Sequence, residues 1–206
     1  MQSYKTVSGT AEGRYEEKKS EFIAHISFAD TEQAALDFLE KIRSENRTAR
    51  HNVYAYALRE NARTRCSDDG EPAKTSGLPT LEIIKRSDIT DCIIVTTRYF
   101  GGVLLGTGGL VRAYTEAAKR AVDAAKIVTV SRCVACTLNV EYPLYESALR
   151  VIADCGGKCG EPIFTSSVQI PFTMLDGAEA VLITKMSELC RKNADITVSK
   201  PFFAPF

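Results

Sequence analysis

The chain has 206 residues, 45% of them hydrophobic and 25% charged, enough to bury a sizeable core in one large or two small domains. Its 26 lysines and arginines balance 26 aspartates and glutamates, so no global field draws it onto nucleic acid or a membrane, and such binding has to be local. No apolar run approaches the roughly 18 to 20 residues of a membrane helix and the start of the chain lacks a signal-peptide core, which together with seven scattered cysteines points to the cytoplasm and reduced thiols.

In chain order, residues 13–17 and 21–28 read as paired strands around a charged turn at Lys18 and Lys19. A helix follows, with Asp30 as its cap, Gln33 three residues on, and Ala35, Phe38, Leu39 and Ile42 at helical spacing to about Asn46. Residues 52–58 alternate small Val53, Ala55 and Ala57 with large Tyr54, Tyr56 and Leu58, a strand with unlike faces. The stretch SDDGEPAK, 67–74, is a polar loop broken by Gly70 and Pro72, leading to a short helix over Leu81 to Ile84 and a buried strand over 92–96.

From Thr107 to Ala125 the positions Leu110, Val111, Tyr114, Ala117, Ala118, Ala121, Val122 and Ala125 make one helical face. After Lys126 the pattern restarts: strand 132–141, helix 143–154, strands 158–164 and 167–173, helix 176–192 and strand 195–199. That is the β-α-β-β-α-β order of a ferredoxin-like unit, with Pro143 suited to the first turn of one helix and Asp176 with Glu179 a capping box for the other. The predicted domains are 1–130 and 131–206.

The most specific stretch is IIVTTRYFGGVLLGTGGLVRAY, 93–114, in which Gly101, Gly102, Gly106, Gly108 and Gly109 fall between a strand and a helix. Glycine serves positive φ or close approach, Thr107 can cap the helix, and a helix N-terminus favours an anion. No P-loop lysine or spacing is present, which argues against a triphosphate site of that kind. Asp68, Asp69 and Glu71 could hold Mg²⁺, although a solvated turn that caps its own amides is the plainer reading. Lys74, His51, Asn52, Arg98, Tyr99 and Arg112 complete a candidate ligand-binding set, with Arg98 as an anion clamp, Tyr99 as a stacking or hydrogen-bonding surface and His51 as a titratable group.

Cys66 with His51 carries no nucleophile-elbow or protease signature. Cys133, Cys136, Cys155 and Cys159 have a zinc-like spacing, but an offset of three in a strand sends the first pair to opposite faces. Between Lys41 and Arg65 seven basic residues face two acids, and Arg47, Arg50, Arg59, Arg63 and Arg65 form the candidate nucleic-acid surface.

The motifs KSEFIAHI (19–26), ARHNVYAY (49–56), SDDGEPAKTSGLP (67–79) and TRYFGGVLLGTGGLVRAY (97–114) resemble the IMPACT family, nearest its bacterial YigZ-type branch. The resemblance implies an α+β protein of two domains. The first is a ribosomal-protein-like α/β domain with three helices, and the second is ferredoxin-like and similar to a terminal domain of elongation factor G. It implies a role linked to translation through RNA, ribosome or a translation factor, with no established reaction, so a non-enzymatic binding protein is expected. The alternative is a protein or enzyme for an anionic small molecule, phosphate- or carboxylate-bearing, at residues 101–109.

Overall fold

The computed structural model describes residues 3–206, which divide into two units, Tyr4–Val128 and, with Ser3, Thr129–Phe206. The first contains β1 (Tyr4–Ser8), β2 (Thr10–Glu17), β3 (Ser20–Phe28), α1 (Glu32–Glu45), β4 (His51–Ala57), β5 (Thr64–Ser67), α2 (Gly77–Arg86), β6 (Cys92–Tyr99) and α3 (Gly106–Ala124). Its main sheet has the order β2-β3-β6-β4-β5, every neighbouring pair antiparallel.

Strand β6 is central and apolar along most of its length, because helices cover both faces of the sheet. Val53, Ala55, Ala57 and Ile94 lie under α2 and α3, whereas Tyr54, Tyr56, Leu58, Ile93 and Val95 lie with α1. The unlike faces of residues 52–58 thus meet different layers: small side chains let two helices approach the strand, and large ones fill the space beneath one. Strand β1 is tied in by a bridge from Lys5 to Ile89 and by the Thr6 hydroxyl, which donates to the Asp91 carbonyl at 3.1 Å.

Several ends differ from expectation. The cap of α1 is Thr31, not Asp30: its extended backbone lets Oγ1 accept from the amide of Ala34 at 3.2 Å. The cap of α3 is Leu105, which gives no side-chain hydrogen bond, and Thr107 lies inside the first turn. The ladder of strand β5 is dictated by β4, with Tyr54 opposite Ser67 and Ala57 opposite Thr64.

The second unit contains β7 (Lys126–Val140) from Thr129 onward, α4 (Tyr145–Asp154), β8 (Lys158–Cys159), β9 (Ile163–Phe164), β10 (Val168–Leu175), α5 (Glu179–Cys190), β11 (Asp195–Val198) and β12 (Phe202–Pro205). Antiparallel β7 and β10 form its centre; β8 and β9 pair with β10, and β11 and β12 pair in succession with the far edge of β7. The α4 connection from β7 to β8 steps over β10, which lies between those two strands in the sheet. Alternate residues Val134, Cys136, Leu138 and Val140 of β7 and Ile170, Phe172 and Met174 of β10 pack with Ile152 of α4 and Leu182 and Met186 of α5.

The strand expected over 158–164 is two short pieces, broken at Gly160 and Pro162. The box expected at Asp176 and Glu179 does not form. Helix α5 starts at Glu179, whose carboxylate accepts from Gly177 at 2.6 Å, and Asp176 pairs with Arg132 at 2.8 Å. Pro143 lies in a 3₁₀ turn, Tyr142–Leu144, just ahead of α4.

Candidate ligand-binding site

The site begins with strand register. His51, the first residue of β4, is paired with Arg98 near the end of β6, which puts both side chains on the α2/α3 face. Asn52, one step along, turns to the other face, where its Oδ1 accepts from the buried Thr97 hydroxyl at 2.8 Å.

The acidic loop closes over this end of the sheet, and each carboxylate has its own internal donors. Asp68 receives the Ser76 hydroxyl at 2.7 Å and the amides of Gly77 at 2.8 Å, Ser76 at 3.1 Å and Lys74 at 2.8 Å, so it serves the start of α2. Burial alone would raise its pKa; those donors outweigh it and hold the carboxyl below its usual value. Asp69 accepts the Asn52 amide at 2.7 Å and Arg43 Nη2 at 3.0 Å, and its carbonyl is 2.8 Å from His51 Nδ1.

Glu71 is the buried member. Both of its oxygens meet Nη1 of Arg98, at 2.7 and 2.9 Å, and Oε1 also accepts the Tyr114 hydroxyl of α3 at 2.8 Å. Burial, reinforced by the Glu71 charge, drives the Tyr114 phenol far upward, so it remains a protonated donor. Three elements therefore converge on one carboxylate. The three acids thus serve separate donors, Asp68 capping the amides at the start of α2, and no group of three His, Cys, Asp or Glu is placed for a metal ion among the described residues.

Beside this network lies a cavity of about 620 Å³. Thr48, Arg50 and His51 line it from the approach to β4, and Arg98, Tyr99, Phe100 and Leu104 from the end of β6 and the loop beyond. Of the expected ligand-binding set, His51, Arg98 and Tyr99 reach this cavity, joined by Arg50 from the basic set. Tyr99 is oriented by Asn46, whose Oδ1 accepts its hydroxyl at 2.8 Å. Asn52, Asp68, Asp69, Glu71 and Lys74 stand behind or outside it; Lys74 contributes its amide to Asp68 while its side chain is exposed. Phe100 and Leu104, 55% and 83% exposed, were not singled out by sequence pattern.

The glycines divide by cause. Gly102 and Gly106 hold φ of 86° and 72°, and Gly101 lies against the β2–β3 turn, its amide bonded to Ser20 Oγ at 3.1 Å. Gly106, Thr107, Gly108, Gly109 and Arg112 line a separate, open depression of about 800 Å³, so the start of α3 does not contribute to the His51–Arg98 cavity.

The basic segment divides as well. Arg59 Nε is 2.6 Å from Asp91 and its guanidinium lies 3.4 Å from the Tyr4 ring centre, while Arg63 and Arg65 both meet Glu32. Arg47 and Arg50 have no acidic partner among the described residues. Cys66 lies opposite Ala55 rather than His51, and burial pushes its thiol up, away from a reactive thiolate.

Residues 18–122, which include the whole cavity, match the family model of the Impact N-terminal domain. The chain belongs to the IMPACT family. It is 35% identical to the IMPACT family member YigZ of Escherichia coli (strain K12) across 87% of this chain and 86% of that protein. It is 45% identical to the IMPACT family member YvyE of Bacillus subtilis (strain 168), a match spanning 55% of this chain and about half (53%) of that relative's length. A crystal structure titled only as that of a hypothetical protein resembles it with a TM-score of 0.63 and 28% identity, over 97% of this chain and 98% of that one. No helix among the described residues of this IMPACT family member is long and apolar enough to cross a membrane.

Proposed function

We propose that this IMPACT family member is a translation-linked binding protein that engages RNA, alone or within the ribosome, through the face where β4 begins and β6 ends. One observation carries the reading: Arg50 and the exposed ring of Phe100 line the same cavity. A cation beside an accessible aromatic ring is the pairing that single-stranded RNA requires, phosphate against guanidinium and base against π-face. Arg47 extends the positive charge along the turn before β4, whereas Arg59, Arg63 and Arg65 are paired with acids and contribute less to a phosphate track.

The test is binding of ribosomes and of a structured RNA across a salt series, comparing wild type with Arg47→Glu/Arg50→Glu. Each neutralised single-strand phosphate contributes about 0.7 to the slope of log affinity against log salt, so the double variant is expected to bind at least tenfold more weakly with a slope reduced by about 1.4. Unchanged affinity and slope would remove this face from the proposal. Loss of binding in Arg63→Glu/Arg65→Glu instead would move it to the opposite end of β4.

A further inference from the structure

The RNA reading leaves open which part of an RNA enters the cavity, and the following inference rests on that reading. We propose that the cavity receives the terminal phosphate of an RNA end, a phosphomonoester, with the adjoining base against Phe100, and not an internal stretch of backbone.

Arg98 is 8% exposed yet lines the cavity, so its charge is recessed below the surface that an RNA strand would follow. An internal phosphodiester carries a ribose on each side and is held at the surface by both; a terminal phosphate projects from one ribose and can enter. Charge points the same way, because a phosphomonoester carries about −1.5 to −2 near neutral pH, whereas a diester carries a single charge. Glu71 balances Arg98, and Arg50, exposed on the same cavity, supplies a further positive charge.

Hydrogen bonding also leaves Arg98 incomplete. Glu71 places both oxygens on Nη1, while Nε is buried and has no hydrogen-bond partner among the described residues. A buried donor without an acceptor is unfavourable, and an oxyanion brought against the guanidinium edge would satisfy it. The guanidinium is already oriented, with its carbon 5.4 Å from the Phe22 ring centre and 5.6 Å from that of Phe100, and with Glu71 fixed by Tyr114. Phe100 is the more exposed of these two rings and is the side chain that must shift to admit the phosphate and then stack on the base.

His51 has a definite tautomer for this role. Nδ1 faces the Asp69 carbonyl, which can only accept, so Nδ1 carries a proton and Nε2 is left for the ligand, as an acceptor when the ring is neutral and a donor when it is protonated. The nearby Asp69 carboxylate is not left to repel an anion unopposed, since Arg43 and the Asn52 amide occupy its two oxygens.

The experiment compares one RNA hexamer in three forms, with a 5′-phosphate, with a 3′-phosphate, and with hydroxyls at both ends, together with adenosine 5′-monophosphate as competitor, all at one ionic strength. One phosphorylated form is expected to bind at least tenfold more tightly than the hydroxyl form, and Arg98→Lys, which has no planar fork, is expected to bring that ratio close to one. If Arg98→Lys does not fold, Phe100→Ala, on the exposed loop, is the second variant and is expected to reduce the preference severalfold. Equal affinity of all three hexamers overturns the terminal-phosphate inference and leaves RNA binding standing. Binding of the mononucleotide with no binding of any hexamer overturns the RNA reading, upholds the terminal phosphate as the recognised group and identifies a free nucleotide as its source. Binding of neither overturns both.

Discussion

Glu71 presents both carboxylate oxygens to a single nitrogen of Arg98, and the two side chains are only 3% and 8% exposed. Removing one charge from a buried pair leaves the other without its counter-charge, a loss of about 3–5 kcal/mol. Glu71→Ala is expected to be destabilised by that amount in urea unfolding. Glu71→Gln, which keeps an acceptor for Tyr114, should lose less. A Glu71→Ala protein within about 1 kcal/mol of wild type would show that the network does not hold the loop to the sheet.

Asp68 offers a second test with a defined pH dependence. Its folded pKa is depressed, in spite of burial, by the Ser76 hydroxyl and the amides of Gly77, Lys74 and Ser76. Stabilisation from such a group is present in full above the unfolded carboxyl value, about 3.9, and is lost as pH falls through the folded value. Asp68→Ala is expected to cost about 0.5–2 kcal/mol at neutral pH as a lost helix cap. Urea midpoints should show the gap to wild type closing in acid; a gap independent of pH would mean that the carboxylate charge is not what stabilises α2.

Helix α3 is legible in the sequence because its apolar positions from Leu110 to Ala121 keep one face over many turns, and the observed span, Gly106–Ala124, follows that stripe. The edge strands are not. In β5, Thr64 and Arg65 are exposed and the ladder comes from β4, so nothing in its own four residues announces a strand. Asp30 and Thr31 are both good caps, and backbone geometry chooses between them. The same distinction governs the site: residue type singles out Arg98, His51 and Tyr99, but their meeting depends on the pairing of His51 with Arg98, which alternation cannot fix. Phe100 and Leu104 did leave a signal, large apolar residues in a glycine loop with no periodicity that would bury them.

The glycine loop separates packing from binding. A Cβ on Gly101 would lie 2.0 Å from the carbonyl carbon of Lys19, a backbone atom that cannot turn aside. Overpacking typically costs about 1–3 kcal/mol, and Gly101→Ala is expected at the upper end. Gly108 has nothing within 4 Å of such an atom and lies in the first turn of α3, so Gly108→Ala should be neutral or stabilise by up to about 1 kcal/mol. Thermal unfolding of the two variants side by side reads the difference. Equal destabilisation would contradict the packing account of Gly101.

His25 supplies the last prediction. It sits on β3 with 20% of its side chain exposed; burial lowers its pKa, and Glu12, 3.6 Å from Nδ1, opposes that shift without overcoming it. Glu45 acts in the same sense as Glu12, and Arg14 and Lys41 act with burial. A histidine depressed in the folded state is held neutral, so the unfolded chain takes up the proton first. The associated stability is complete above the unfolded value, about 6.5, and declines as pH falls from there through the folded value. Wild type should therefore lose stability between about pH 7.5 and pH 5, before most carboxylates titrate, and His25→Gln should lose less over the same interval. Urea unfolding at closely spaced pH values makes the comparison, and parallel curves for the two proteins would rule His25 out as the source.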